Sequence, residues 1–311
     1  MYGVSVIRDN LRRARLSRRH IPVGAVLLLC LSAVCACSRR EAPKDVLSVS
    51  IPAQKWLLDS IVGDRFQVVS VIETGANPET FEPSLRQLAD MERSALYFIV
   101  GNLDFEISSL DRIRENYPDM QIVDSSRGIE RVHSGHAHSH AGGEEHCHGE
   151  AGDPHVWSSL PNARLMARNM YDKVVELDPV NRDYYTARYR NLDAGLAALN
   201  DSVSRELAPL RNRTFLVWHP SLSYFARDYG LRQVSVETAG KESSPAQYRD
   251  RLDKARTVNP LVFFTQAEFD SRQAQSMAAE LKVPVVSISM MQENLPAQIK
   301  TIANELLKAY N

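Results

Sequence analysis

Short apolar runs alternate with amphipathic stretches along most of this chain, and the rhythm occurs twice. In a first block, strand-length apolar segments fall at 46–52, 66–72, 95–101 and 121–125; in a second, at 214–218, 232–237, 261–265 and 283–288. Each spans 5–7 residues, most are rich in Val, Ile and Phe, and helix-period segments separate most of them. That alternation predicts an α/β fold of parallel sheets built from βαβ units. One helix start is legible in detail: Ser84, just after Pro83, is followed three residues later by Gln87, the signature of a capping box.

Between the blocks, Tyr184, Tyr185, Tyr189, Leu192, Leu196 and Leu199 recur at mostly helical spacing, with Gly195 the single breaker and Pro209 just beyond the end. One helix over 181–207, roughly 27 residues, would span about 40 Å. An ordinary crossover within one larger sheet needs less. Two lobes are therefore expected, 46–180 and 208–311, joined by this helix. The stretch 128–152 contains only Ile129 and Val132 as large apolar residues and cannot pack a core, so it is expected to be a mobile loop.

The N-terminus needs separate treatment. Arg8, Arg12, Arg13, Arg15, Arg18 and Arg19 precede an uncharged stretch, 21–36, with Leu27, Leu28 and Leu29 at its centre. A basic start and a short apolar run mark a secretory signal; the run is shorter than the roughly 20 residues of a spanning helix. Val34-Cys35-Ala36-Cys37 resembles a bacterial lipobox, which implies removal of 1–36, acylation of Cys37 and export to a membrane facing the periplasm or the cell exterior. Removing that segment takes away six Arg and one Asp, so the formal charge moves from −1 to −6. An acidic protein is a poor partner for nucleic acid. Cys30 and Cys35 leave with the signal and Cys37 carries the lipid; Cys147 alone remains, so no internal disulfide can form. A monomer is expected.

Ligands of open α/β sheets sit outside the carboxyl ends of the strands. Three strand exits carry a plausible first-row metal ligand: Glu79 after 66–72, His155 after 121–125, and His219 after 214–218. A carboxylate with two imidazoles suits zinc. Without its neighbours, His219 would more often be a hydrogen-bonded structural histidine. Asp153 is expected to cap the segment after it or to hold His155 from behind, and Trp157, Tyr184, Tyr185 and Tyr189 to pack rather than bind. The 131–150 loop holds His133, His136, His138, His140, His146, Cys147 and His148, and is expected to collect metal weakly.

The N-P-x-T-F-E-P run from Asn77 to Pro83, D-P-H-V-W from Asp153 to Trp157, H-P-S from His219 to Ser221 with Tyr224 beyond, and E-S-S-P from Glu242 to Pro245 resemble, in order, the solute-binding proteins of zinc and manganese ABC importers. The resemblance covers nearly all of the chain after 1–36. It implies two lobes bridged by a rigid helix, a metal site in the interlobe cleft, and delivery of the ion to an importer permease and its ATPase. It also implies three His and one acidic ligand, the second and third His mapping onto His155 and His219. Two positions depart from that pattern: Glu79 stands where the first His is usual, and Ser289 where an Asp is frequent. The fourth position is left to water, Ser289, Glu268 or Glu293, or a second oxygen of Glu79.

A receptor for Zn2+, or for Mn2+ or iron, is thus the leading expectation. A zinc hydrolase is the rival, because Glu with two His and an open position is also a catalytic arrangement. Against it, the chain has no H-E-x-x-H and no Glu beside His155 or His219 as a general base, so no enzymatic activity is expected. A zinc buffer or metallochaperone acting through the loop is the third possibility.

Overall fold

The computed structural model describes residues 45–133, 152–236, 245–269 and 272–310. The signal segment, Cys37, Cys147, and His136, His138, His140, His146 and His148 lie outside these residues. The chain begins with β1 (Val46–Val49), α1 (Pro52–Val62), β2 (Gln67–Ser70), α2 (Leu85–Glu92), β3 (Ser94–Ile99), α3 (Asp104–Asn116) and β4 (Gln121–Asp124). A 3-10 turn at Val156–Ser158 leads into α4 (Leu160–Leu177) and α5 (Arg182–Leu207). The rest comprises β5 (Thr214–Val217), α6 (Ser223–Asp228), β6 (Arg232–Ser235), α7 (Pro245–Thr257), β7 (Phe263–Gln266), α8 (Arg272–Leu281), β8 (Val285–Ile288) and α9 (Leu295–Tyr310).

The eight described strands fall at the segments the apolar runs mark, and both sheets are parallel. Their orders, β2-β1-β3-β4 and β6-β5-β7-β8, are the same pattern repeated. Central strands buried on both faces need continuous apolar sequence, which Val46–Val49 and Ser94–Ile99 largely supply. In each sheet the order reverses beside the first strand, between β1 and β3 and between β5 and β7, so each sheet has one switch point. Helix α2 starts as its sequence predicts: the Gln87 N–H donates to Ser84 Oγ at 3.3 Å and the Ser84 N–H to Gln87 Oε1 at 2.8 Å.

Helix α5 is one element of 26 residues, about 39 Å long. Its buried residues Tyr185, Leu192, Leu196, Val203 and Leu207 alternate spacings of seven and four, which keeps one stripe inward. That stripe packs on α1 and α4 and, farther along, on α9. The apolar core runs without a break from Leu47 and Val49 through Trp157, Tyr185 and Leu196 to Phe215, Ile299 and Leu306. A smaller cluster, with Leu216, Leu252, Phe263 and Met277, lies against another part of the second sheet. The two sheets therefore share a core along α5.

The loop leaving β3 is fixed by a buried carboxylate. Glu106, fully buried, accepts the N–H groups of Val100 at 2.8 Å, Gly101 at 2.7 Å and Leu103 at 3.3 Å, and the hydroxyl of Ser50. Burial raises its pKa, against the lowering pull of those four donors. Gly101 makes the turn at φ +98°, where a Cβ would also approach the Asp124 carboxylate at 3.1 Å. Glu106→Gln must place an amide NH2 against N–H donors. It is expected to lower stability by about 1–3 kcal/mol, measured as a fall in urea midpoint at unchanged slope; an unchanged midpoint would remove Glu106 as the pin of this loop.

Candidate metal centre

Asn77-Pro78-Glu79 and Asp153-Pro154-His155 are the same local device used twice. In each, the Asx side chain turns back to accept the backbone N–H two residues on: Glu79 N to Asn77 Oδ1 at 2.9 Å, and His155 N to Asp153 Oδ1 at 2.8 Å. An intervening proline fixes φ and has no N–H to compete. Each Asx-Pro pair thus presents the next side chain, the first beyond β2 and the second beyond β4. His219 comes from beyond β5. Its N–H donates to Gln266 Oε1 at 3.0 Å, and Gln266 Nε2 donates back to the His219 carbonyl at 2.9 Å and to Ser221 Oγ at 3.0 Å. The His219 ring stacks on Phe269, centroids 4.4 Å apart and 15° from coplanar.

These supports bring the three predicted side chains together. His155 Nε2 faces His219 Nε2 at 3.3 Å, and Glu79 Oε1 lies 3.2 Å from the same His219 nitrogen. Both imidazoles are buried, whereas the Glu79 side chain remains 31% exposed. Among the described residues no group of three or more His, Cys, Asp or Glu is gathered in the full geometry of a metal site; the arrangement is a chain with His219 in the middle. Its spacings nevertheless match the roughly 3.3 Å edge of a tetrahedron with bonds of about 2.0–2.1 Å.

Asp153 Oδ1 also bonds His155 Nδ1 at 2.8 Å. An acidic oxygen there holds the proton on Nδ1 and leaves the Nε2 lone pair facing His219. Burial lowers the His155 pKa, but the charge and hydrogen bond of Asp153 outweigh it, with Glu79 and Asp104 adding to the rise. Trp157 lies beneath, fully buried, its ring 5.2 Å from that of His155.

Of the other sequence candidates, Ser289 is hydrogen-bonded to Glu268, and Glu293 pairs with Lys55 at 3.5 Å with half its side chain exposed. His133 is among the described residues; the other candidate residues of the loop lie outside them. Tyr184, Tyr185 and Tyr189 pack as expected: Tyr185 is buried in the core, and Tyr189 stacks on Tyr171 at 4.6 Å. Sequence reasoning missed Asp104, Gln266 and Phe269. Asp104 and Phe269 come just after the switch-point strands β3 and β7, and Gln266 ends β7. Their places at or just beyond the ends of β3 and β7 are the one signal the sequence holds for them.

The profile of the family described as "Zinc-uptake complex component A periplasmic" matches residues 48–306. The chain belongs to this family. A curated relative in Treponema pallidum (strain Nichols), a putative metal-binding protein, is 27% identical over 257 residues, covering 79% of each chain. The manganese ABC transporter substrate-binding lipoprotein PsaA of Streptococcus pneumoniae is 22% identical, covering 83% of each. A crystal structure of ZnuA superposes with a TM-score of 0.76 at 30% identity, covering 86% of this chain and 99% of that one. As a member of the zinc-uptake component A family, the chain has the two-lobed α/β fold with a long connecting helix. Among its described residues no helix is long and apolar enough to cross a membrane.

Proposed function

We propose that this protein is a receptor that binds a transition-metal ion, zinc by preference, through Glu79, His155 and His219, and passes it to an ABC importer. The observation that carries this reading is the pair of buried imidazole nitrogens facing one another at 3.3 Å beyond the carboxyl ends of the two sheets, with Glu79 Oε1 beside them. Two imidazoles and a carboxylate hold zinc well and admit manganese. The basic N-terminus and the lipobox-like residues support export and anchoring through Cys37. A permease with its ATPase is the partner that membership of an uptake complex implies.

Competition titration against a zinc chelator tests the reading. One tight equivalent is expected, without turnover of ester or peptide substrates. Asp153→Ala should keep that equivalent but weaken it by about 10–100-fold, because the imidazole loses the partner that sets its tautomer and direction. Absence of a tight equivalent in the unaltered chain would overturn the proposal.

A further inference from the structure

The second sheet reverses order between β5 and β7, and both strands deliver side chains to the centre. Strand β5 leads to His219. Strand β7 ends at Gln266, which bonds the His219 backbone, and Phe269, three residues on, stacks on the His219 ring. Between these two residues lies Glu268. Its Oε1 accepts from the Ser289 hydroxyl and from the Met291 N–H at 2.9 Å. The segment that supplies those donors also meets the first lobe: the Met291 carbonyl accepts from Gly75 N at 3.0 Å, four residues before Glu79, and the Met290 carbonyl accepts from Trp157 Nε1 at 3.1 Å, two residues after His155. Glu268 is therefore held by the one segment, Ser289 to Met291, whose backbone also bonds the stretches that carry Glu79 and His155, and it lies in sequence between two residues that hold His219.

The other oxygen, Glu268 Oε2, is shut off from solvent and has no hydrogen-bonding partner among the described residues. A carboxylate oxygen in that position is disfavoured unless a donor or a cation meets it. Among the described residues no cationic side chain is paired with it, and the next residue, Phe269, stacks on the His219 ring.

We infer that Glu268 is a further ligand of the ion, reaching the site beside Ser289 and supplying a second carboxylate to Glu79, His155 and His219. This rests on the receptor reading above. Serine is a poor ligand for zinc, and here its hydroxyl serves instead to hold Oε1, leaving Oε2 for the metal. The resulting set has two nitrogens and two carboxylates, whose charges balance a divalent cation. Added oxygen also widens the tolerance for harder ions, so Glu268 sets the zinc-to-manganese preference of this chain.

The test uses the mature chain and three proteins: unaltered, Glu268→Gln and His219→Ala. Competition titrations with Zn2+ and Mn2+ give affinities, and Co2+ substitution reports the ligand set by its visible spectrum. Glu268→Gln is expected to weaken Zn2+ binding by about a hundredfold or more, beyond the usual cost of losing an outer partner. It should weaken Mn2+ further still and change the Co2+ spectrum. Metal-free Glu268→Gln should melt no lower than the unaltered chain, because the amide removes a buried unpaired charge while keeping an acceptor for Ser289 and Met291. Wild-type affinity, or weakened affinity with an unaltered Co2+ spectrum, would overturn the assignment while loss of binding in His219→Ala leaves the receptor reading standing. Retained tight binding in His219→Ala would overturn both.

Discussion

His219→Ala is expected to abolish the zinc-induced rise in melting temperature. His219 Nε2 lies close to both other candidate ligands, Glu79 Oε1 at 3.2 Å and His155 Nε2 at 3.3 Å. Its removal leaves a carboxylate and an imidazole from one lobe with no imidazole from the other. Ligand that binds the folded state alone stabilises it by RT ln(1 + [L]/Kd), about 4 kcal/mol at a thousandfold excess over Kd. The alanine chain should lose nearly all of this. Its metal-free form will also be weaker, since the ring stacked on Phe269 is gone, so the readout is the difference between melts with and without zinc for each protein. A zinc-induced shift equal to that of the unaltered chain would exclude His219 from the site.

The second large effect belongs to Trp157. It is fully buried, supports the His155 ring from below, and donates its indole N–H to the Met290 carbonyl of the other lobe. Trp157→Ala is expected to cost about 3–5 kcal/mol, the range for deleting a large aromatic from a packed core. Trp157→Phe keeps most of the volume but loses the donor, for about 0.5–1.5 kcal/mol from that bond in addition to a packing change. The two variants separate the core contribution from the tie between lobes. Chemical denaturation of the metal-free protein measures both, and a loss under about 1 kcal/mol for Trp157→Ala would mean that the indole does not support the core.

Strand positions were legible because the central strands β1, β3 and β5 are largely apolar on both faces, a pattern that does not depend on what packs against them. The long helix was legible for a similar reason: its inward stripe keeps helical period for the whole of Arg182–Leu207. Glu79, His155 and His219 could be named because each is a metal-ligating residue type beside a proline in the connection that follows a strand, His219 close behind β5 and the other two farther along the connections after β2 and β4. Asp104, Gln266 and Phe269 are harder to single out, since nothing in their own neighbourhood distinguishes them from ordinary residues at a strand or helix end.

The sequence by itself therefore determined the elements, their parallel pairing and three side chains able to bind a metal, all of which depend on periodicity and near neighbours. Only the tertiary structure decided how they meet. The strand order β2-β1-β3-β4, repeated as β6-β5-β7-β8, puts the loops after β3 and β7 at the switch points, beside exits far away in sequence. The partners of His219 show the consequence: Gln266 lies 47 residues from it in the chain and bonds both its N–H and its carbonyl. Likewise the shared core along α5, the Trp157 bond to Met290 and the Met291 bond to Glu268 are contacts between distant segments. Such contacts carry no local periodicity, because the free energy that selects them arises only when the two sheets pack together.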